Sequence, residues 1–302
     1  MDEGVRRTKV AFGSGGVDCA GYLYEPPAPA GGPLSCVVMA HGFAGTMEFL
    51  LYRAQRFAEA GFAALVFDYR YFGASEGRPR QLLDIPAQLD DWRAAIRYAR
   101  GHAAVDERRI ALWGSSLGGG HVVTVAAEDP AVAAVVAQVP WLGDGRPWGR
   151  RLSHALRWNS VKLTVAAVRD ARGARRGAPP LLVPVVGEPG SGAMFTDPSA
   201  RRAVDAAGLE NVLWRNEFTP RAALSLARYE PGRHLERLTA PLLVCATEGD
   251  TDIPVDFLRA AVARAPRGEL RRYPGTHFEI YYGPTQDEVI ADQTAFLRDA
   301  LA

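Results

Sequence analysis

An α/β architecture, with a mostly parallel central sheet covered by helices on both faces and carrying an inserted cap, is the fold class this sequence predicts. Three observations predict it. Short apolar runs alternate with amphipathic stretches through the first 140 residues, the trace that parallel strands and their crossover helices leave in a chain. The same alternation returns after Pro241. A serine flanked by glycines, in Gly114-Ser115-Ser116-Leu117-Gly118, stands where one apolar run meets one helical pattern, as in a tight strand-to-helix turn.

The strands are expected at 10–12, 19–24, 36–39, 63–67, 110–113 and 133–139. Helical patterns lie at 49–60, 85–100 and 117–127. Only Gly13 to Gly16 separates the first two strands, too little for a crossover helix, so they should pair as an antiparallel hairpin. After Pro241 the expected order is a strand at 242–246, a helix at 255–265, a strand at 270–273 and a helix at 286–301. This divides the chain into a core, 1–140 with 241–302, and an insertion, 141–240. The insertion begins with a run of basic residues, Arg146 to Arg176, and its middle is rich in Gly and Pro. It is expected to fold over the carboxyl edge of the sheet. The basic run reads equally as a solvated helix face or as an attractor of an anionic substrate.

Composition narrows the function classes. The chain has 302 residues and is 48% hydrophobic, enough for a substantial core. Its 35 basic and 34 acidic side chains leave a formal charge of +1, no field for nucleic acid or an anionic membrane. The apolar runs fall short of the roughly 20 residues of a membrane span, and Met1 to Lys9 has no apolar signal-peptide core. The cytoplasm is therefore the expected compartment, and association into a homodimer is left open. Cys19, Cys36 and Cys245 each sit in a strand pattern without CxxC spacing and read as small buried residues. No cofactor or metal is expected: HExxH is absent, and the glycines at 114–120 lack the G-x-G-x-x-G spacing.

The Gly-x-Ser-x-Gly turn makes Ser116 the candidate nucleophile. Such a turn strains the serine so that its hydroxyl projects above the sheet, and the glycines keep side chains off neighbouring backbone. Ser115 lacks that glycine spacing. Acyl transfer places negative charge on a former carbonyl oxygen, which must meet fixed N–H donors. The expected donors are the backbone N–H groups of Leu117 and, from the loop His41-Gly42-Phe43-Ala44-Gly45, of Phe43. His41 is expected to hold that loop through ring hydrogen bonds, and His121 to pack within the core.

A serine hydroxyl needs a histidine to take its proton and a carboxylate to orient that histidine. Of six histidines only His277 follows a late strand in a Gly-containing turn, Pro274-Gly275-Thr276-His277. The acid should follow the strand at 242–246, where Glu248, Asp250 and Asp252 all stand. Asp250, after Gly249 and ahead of Pro254, is the favoured acid; Asp252 reads better as a helix cap, and Glu248 lies early to turn inward.

These residues together resemble the α/β-hydrolase superfamily over the whole chain outside the insertion. Four motifs agree in order: HGFAG, DYRYFGAS from Asp68 to Ser75, GSSLG, and GD…P followed by GTH. In the second, Tyr71 replaces the first glycine of the usual D-x-R-G-x-G-x-S. The likeness is to bacterial esterases beside dienelactone hydrolases, acetyl-xylan esterases and X-Pro dipeptidyl peptidase catalytic domains. In those peptidases a tyrosine of the loop after the third strand serves the oxyanion; Phe43 stands there instead, which weakens a peptidase or amidase reading.

The resemblance implies a serine hydrolase acting on a small-molecule ester or thioester, with acyl transfer, cyclisation, elimination or C–C cleavage on a natural product as the alternative. The pocket is expected between Ser116 and the insertion, lined by Trp141, Leu142, Trp148, Met194, Phe195 and Trp214, with Phe43, Leu117 and Trp158 as further candidates. Such an aromatic lining suits a medium-sized hydrophobic group.

Overall fold

The computed structural model describes residues 4–27, 32–143, 158–208 and 213–302. Eight strands form one sheet: β1 (Arg6–Ser14), β2 (Val17–Glu25), β3 (Leu34–Ala40), β4 (Ala63–Phe67), β5 (Val105–Ser115), β6 (Ala134–Gln138), β7 (Leu242–Thr247) and β8 (Gly268–Tyr273). Their spatial order is β1-β2-β4-β3-β5-β6-β7-β8. The expected hairpin is present, with β1 antiparallel to β2 from Arg6 opposite Glu25 to Ser14 opposite Val17. Strand β2 is also antiparallel to β4, and every later pairing is parallel.

Side-chain alternation along the central strands feeds two separate cores. Cys36, Val38 and Ala40 of β3, with Ala63, Leu65 and Phe67 of β4, enter one apolar cluster. Helices α2 (Ile85–Arg100), α3 (Leu117–Glu128) and α7 (Val255–Val262) cover that face. Val37, Met39, Ala64 and Val66 point the other way, under α1 (Leu51–Glu59) and α8 (Gly283–Ala300). Asp84 caps α2, its carboxylate accepting the Ala87 N–H at 3.0 Å, and Pro86 sits in the first turn, where a missing N–H costs nothing. Among the described residues of 141–240 lie α4 (Trp158–Ala174), α5 (Pro198–Ala206), α6 (Ala222–Leu226) and a 3-10 turn at Pro231–Arg237. Val185, Val186, Ala200 and Phe218 from this stretch join the cluster on the α2–α3 face. No helix among the described residues is long and apolar enough to cross a membrane.

The loop after β4 shows what the DYRYFGAS motif does. The buried Asp68 carboxylate accepts backbone N–H groups from Met47 at 2.7 Å and Ala74 at 2.9 Å, and burial pushes its pKa up to about 7. Gly73 has φ +47, and a Cβ there would fall 2.0 Å from Asp68 Oδ2. Ser75 Oγ donates to the Asp68 carbonyl at 2.6 Å and accepts from Ala20 N of β2 at 2.8 Å. Tyr71, in place of the usual glycine, takes that glycine's backbone conformation with φ +73, a strained state for a side-chain-bearing residue. Its ring occupies the space beside Gly77, whose Cβ would come within 2.5 Å of it.

Arg70 completes the loop. Its Nε and terminal nitrogen each meet Asp91 Oδ1 of α2 at 2.7 Å. Its backbone N–H reaches Asp91 Oδ2 at 3.0 Å, and its guanidinium reaches Ser14 Oγ of β1 at 2.8 Å. The pair is buried and geometrically complete, so removing one member leaves a desolvated charge, whereas removing both leaves a packing problem only. Asp91→Ala is accordingly expected to cost about 3–5 kcal/mol in urea unfolding. The double replacement Arg70→Met with Asp91→Leu should cost less than the single one; the opposite ranking would refute this account.

Candidate active site

The turn from β5 into α3 places Ser116 at φ 53, ψ −118, outside the regions L-residues favour. Three backbone hydrogen bonds hold it there. Ser116 N–H donates to the Gln138 carbonyl at 2.9 Å, and the Ser116 carbonyl accepts from Trp141 N at 2.8 Å and Gly120 N at 3.2 Å. The flanking glycines are sterically required. A Cβ on Gly114 would stand 2.2 Å from the Gly118 carbonyl oxygen, and one on Gly118 would stand 2.5 Å from that of His41. The loop after β3 closes equally tightly: a Cβ on Gly42 would meet Ser115 O and Ser116 Cβ, each at 2.9 Å.

Ser116 meets Asp250 and His277, both more than a hundred positions further along the chain, above this turn. His277 Nε2 lies 3.2 Å from Ser116 Oγ. On the other side of the ring, His277 Nδ1 donates to Asp250 Oδ2 at 2.6 Å. The second carboxylate oxygen, Asp250 Oδ1, accepts N–H groups from Asp252 at 2.9 Å and Ile253 at 2.8 Å, so both oxygens are committed and the carboxylate cannot swing away. Burial alone would lower the His277 pKa, but the adjacent Asp250 carboxylate more than offsets it and the net shift is upward. The other acids of this loop are elsewhere. Glu248 pairs with Arg272 at 3.3 Å on the surface. Asp252 is not the helix cap expected from its spacing, because the cap position of α7 belongs to Pro254 and the turn ahead of it is held by the Asp250 side chain.

His41, His121 and the second serine have other partners. His41 is buried, donates from Nδ1 to the Gly42 carbonyl at 2.9 Å and packs on Gly45; burial lowers its pKa to about 4. His121 is buried between Gln88 Oε1 at 3.0 Å and Tyr229 Oη at 2.9 Å, and desolvation takes it down to about 3. Both rings are neutral at pH 7. Ser115 Oγ is 2.5 Å from Tyr281 Oη. Leu117 and Phe43 both lie beside Ser116, and neither backbone N–H is taken by another group among the described residues.

A cleft of about 680 Å³, counting the space open to solvent, lies above Ser116 and His277. Phe43, Phe195 and Trp214 line it, as the sequence leads one to expect. So do Phe49, Val185, Val186, Ala200, Ala203, Val204, Phe278 and Tyr281, which the sequence did not mark. Apart from the residues around Ser116 and His277, the walls are almost wholly apolar.

Four expected liners are not there, among them Leu117, which is buried in the core cluster. Trp141 is turned toward the 3-10 segment, its indole N–H donating to the Tyr229 carbonyl at 3.2 Å, because its backbone is tied down beneath α3 where Gly120 leaves room for the Trp141 carbonyl. Leu142 is buried in the core, its carbonyl accepting from Gly232 N at 3.0 Å. Met194 packs against the core cluster, and its N–H closes the 184–194 turn on the Pro184 carbonyl. Trp148 and the Trp158 side chain lie outside the described residues, as do Arg146, Arg150, Arg151 and Arg157 of the basic run. No group of three His, Cys, Asp or Glu side chains among the described residues is arranged to hold a metal ion.

The chain is 40% identical over 293 residues to the quorum-quenching protein AidA of Acinetobacter baumannii, covering 96% of this chain and 93% of that one. It is 29% identical to the monoacylglycerol lipase of Mycolicibacterium smegmatis over 97% and 98% of the two chains. Among solved structures, that of DcsB in complex with its substrate analogue superposes with a TM-score of 0.81 at 26% identity, covering 98% and 99%. The family model described as serine aminopeptidase, S33, matches residues 31–284. Fold, sequence and coverage agree: this chain is a hydrolase of the α/β-hydrolase fold and belongs to the serine aminopeptidase S33 family.

Proposed function

We propose that the chain cleaves carboxylic esters or thioesters of medium-sized hydrophobic substrates through an acyl-enzyme on Ser116. One observation carries this reading: the His277 ring bridges Asp250 at 2.6 Å and Ser116 Oγ at 3.2 Å at the foot of an apolar cavity. The assignment gives each group one task. His277 Nε2 takes the Ser116 proton as Oγ attacks the carbonyl carbon, while Asp250 holds the ring's tautomer and stabilises the imidazolium. The tetrahedral oxygen receives the N–H groups of Phe43 and Leu117, at the positive end of α3. Collapse breaks the bond to the alcohol or thiol, which leaves with the proton from His277. Water then attacks the acyl-enzyme, gives its proton to the same nitrogen, and the carboxylic acid departs as Ser116 recovers its hydrogen.

The apolar walls supply the substrate class. Among the described residues they offer no cation or hydrogen-bonding cluster to orient a charged chain, but they would remove an acyl group from water at about 25 cal/mol per Å² of apolar surface. The insertion 141–240 acts as the cap in this reading, since Val185, Val186, Phe195 and Trp214 all reach the cavity from it. The monoacylglycerol lipase relative supports acyl esters as substrates, and the quorum-quenching relative supports a signalling compound as one member of the class.

Ser116→Ala is expected to abolish both turnover of p-nitrophenyl esters and labelling by a fluorophosphonate; a labelled variant would refute the assignment. Strong labelling of the native protein with every simple ester left intact would instead move the reading to acyl transfer.

The upward shift of His277 sets the pH dependence. Protonated imidazole cannot accept the Ser116 proton, so kcat/KM should rise with pH through an apparent pKa above the ordinary histidine value of about 6.5. Asp250→Asn should lower that midpoint and reduce kcat by about 10³–10⁴-fold. A profile that is flat from pH 5 to 8 would rule out His277 as the base.

A further inference from the structure

Helix α5 touches both the cavity and the loop that carries His277. Three of its residues at i, i+3 and i+4 spacing, Ala200, Ala203 and Val204, form one helix face and line the cavity. They are small where other walls are aromatic, so this face leaves the space that a chain can occupy. Ser199, at the start of the same helix, is buried; its hydroxyl donates to Asp197 and accepts from Thr276 Oγ1 at 3.0 Å. Thr276 immediately precedes His277.

Further contacts join the same two segments. Arg202 of α5 pairs with Glu279 at 3.3 Å, and Glu279 Oε2 accepts the Thr276 N–H at 2.8 Å, closing the turn around His277. Phe195, just ahead of α5, meets Phe278 edge-on with ring centroids 5.1 Å apart, and Phe278 meets the His277 ring at 4.9 Å. The residues on both sides of His277 are thus held by one short stretch of the insertion, Phe195 with α5. The Arg202–Glu279 pair is solvent-exposed and contributes little; the buried Ser199–Thr276 hydrogen bond and the aromatic contacts carry the link.

Resting on the ester-cleaving role of Ser116 and His277 given above, we propose that α5 is a positioning element. Its Ala200–Ala203–Val204 face sets the length of the acyl group, and Ser199 transmits the seating of that group to His277 through Thr276. Ser199 already holds Thr276 at 3.0 Å; an acyl chain packed on the Ala200–Ala203–Val204 face keeps α5 in that arrangement through the reaction, whereas a short chain does not reach it. Placement of the base by about an ångström is enough to change reactivity by up to about a hundredfold, so the coupling acts on the chemical step and not only on binding.

The test uses the full chain, with p-nitrophenyl acetate and octanoate and with fluorophosphonates bearing short and long alkyl chains. Ser199→Ala is expected to lower kcat on the octanoate by about fivefold or more with KM within about twofold, and to slow long-chain labelling more than short-chain labelling. Ser199→Thr, which keeps the hydroxyl, should restore the native ratio. Ala203→Phe should reduce the long-to-short ratio of kcat/KM by about tenfold or more. Melting temperatures for each variant separate this from unfolding: a Ser199→Ala protein whose kcat falls equally on both esters, or whose only change is a lower melting temperature, overturns the proposal. So does an Ala203→Phe protein with an unchanged chain-length ratio. Native protein that no fluorophosphonate labels would remove the underlying ester reading, whereas Ser116-dependent labelling indifferent to chain length would remove the α5 proposal alone.

Discussion

The close approach of bare backbone at the end of β5 is the constraint on which the rest of the structure depends. Ser116 occupies a strained conformation, and the strain is tolerated because its N–H and carbonyl are bound by Gln138, Trp141 and Gly120. Those bonds exist only if the segments carrying them can come within contact of the turn. Gly42, Gly114 and Gly118 make this physically feasible, each standing where a methyl group would overlap a carbonyl oxygen or Ser116 itself. The serine's position above the sheet is therefore fixed by neighbours and not by its own preference. The two backbone N–H groups of Phe43 and Leu117 are brought beside it by the same contacts.

A second constraint is electrical. The site sits under apolar walls, where an unpaired charge would be costly. Asp250 meets that condition by using both oxygens, one on His277 and one on two backbone N–H groups. The resulting carboxylate raises the histidine despite its burial. His41 and His121 are equally buried but have no carboxylate within hydrogen-bond reach among the described residues, the nearest to His41 being Asp68 at 3.8 Å, and they are driven the opposite way. One physical rule separates the three rings: desolvation lowers each, and only the carboxylate hydrogen-bonded to His277 reverses the direction.

The central strands were legible because both of their faces are covered, so they read as uninterrupted apolar runs; β4 at Ala63–Phe67 coincides with its apolar run. Edge and entry segments were not. Strand β1 begins at Arg6 and β8 at Gly268, and β5 starts at Val105 with Asp106, Glu107, Arg108 and Arg109, because residues facing water need not be apolar to pair. Ser116, His277 and Asp250 could be located from turn chemistry and chain order, since each follows a strand at the same sheet edge. The cavity walls could not. Trp141 follows β6 at the right edge, yet its orientation is decided by Gly120 and Tyr229, contacts that no local pattern encodes. Ala200 and Ala203 escaped notice because small residues in a helix carry no signal of what they face, and Asp252 was misplaced because Asp250 already satisfied the turn it would have capped.

The run Gly118-Gly119-Gly120 at the start of α3 has a consequence for how the protein assembles. Glycine is a poor helix former, at about 1 kcal/mol per residue relative to alanine, so this first turn has little tendency to form alone. Each glycine is overlain by a different partner: the His41 carbonyl from the β3 loop, Pro140, and the Trp141 carbonyl beyond β6. The turn thus becomes ordered only when pieces distant in sequence have docked. An emerging or partly unfolded chain carries Ser116 with no fixed surroundings, and its position above the sheet is set only in the finished fold.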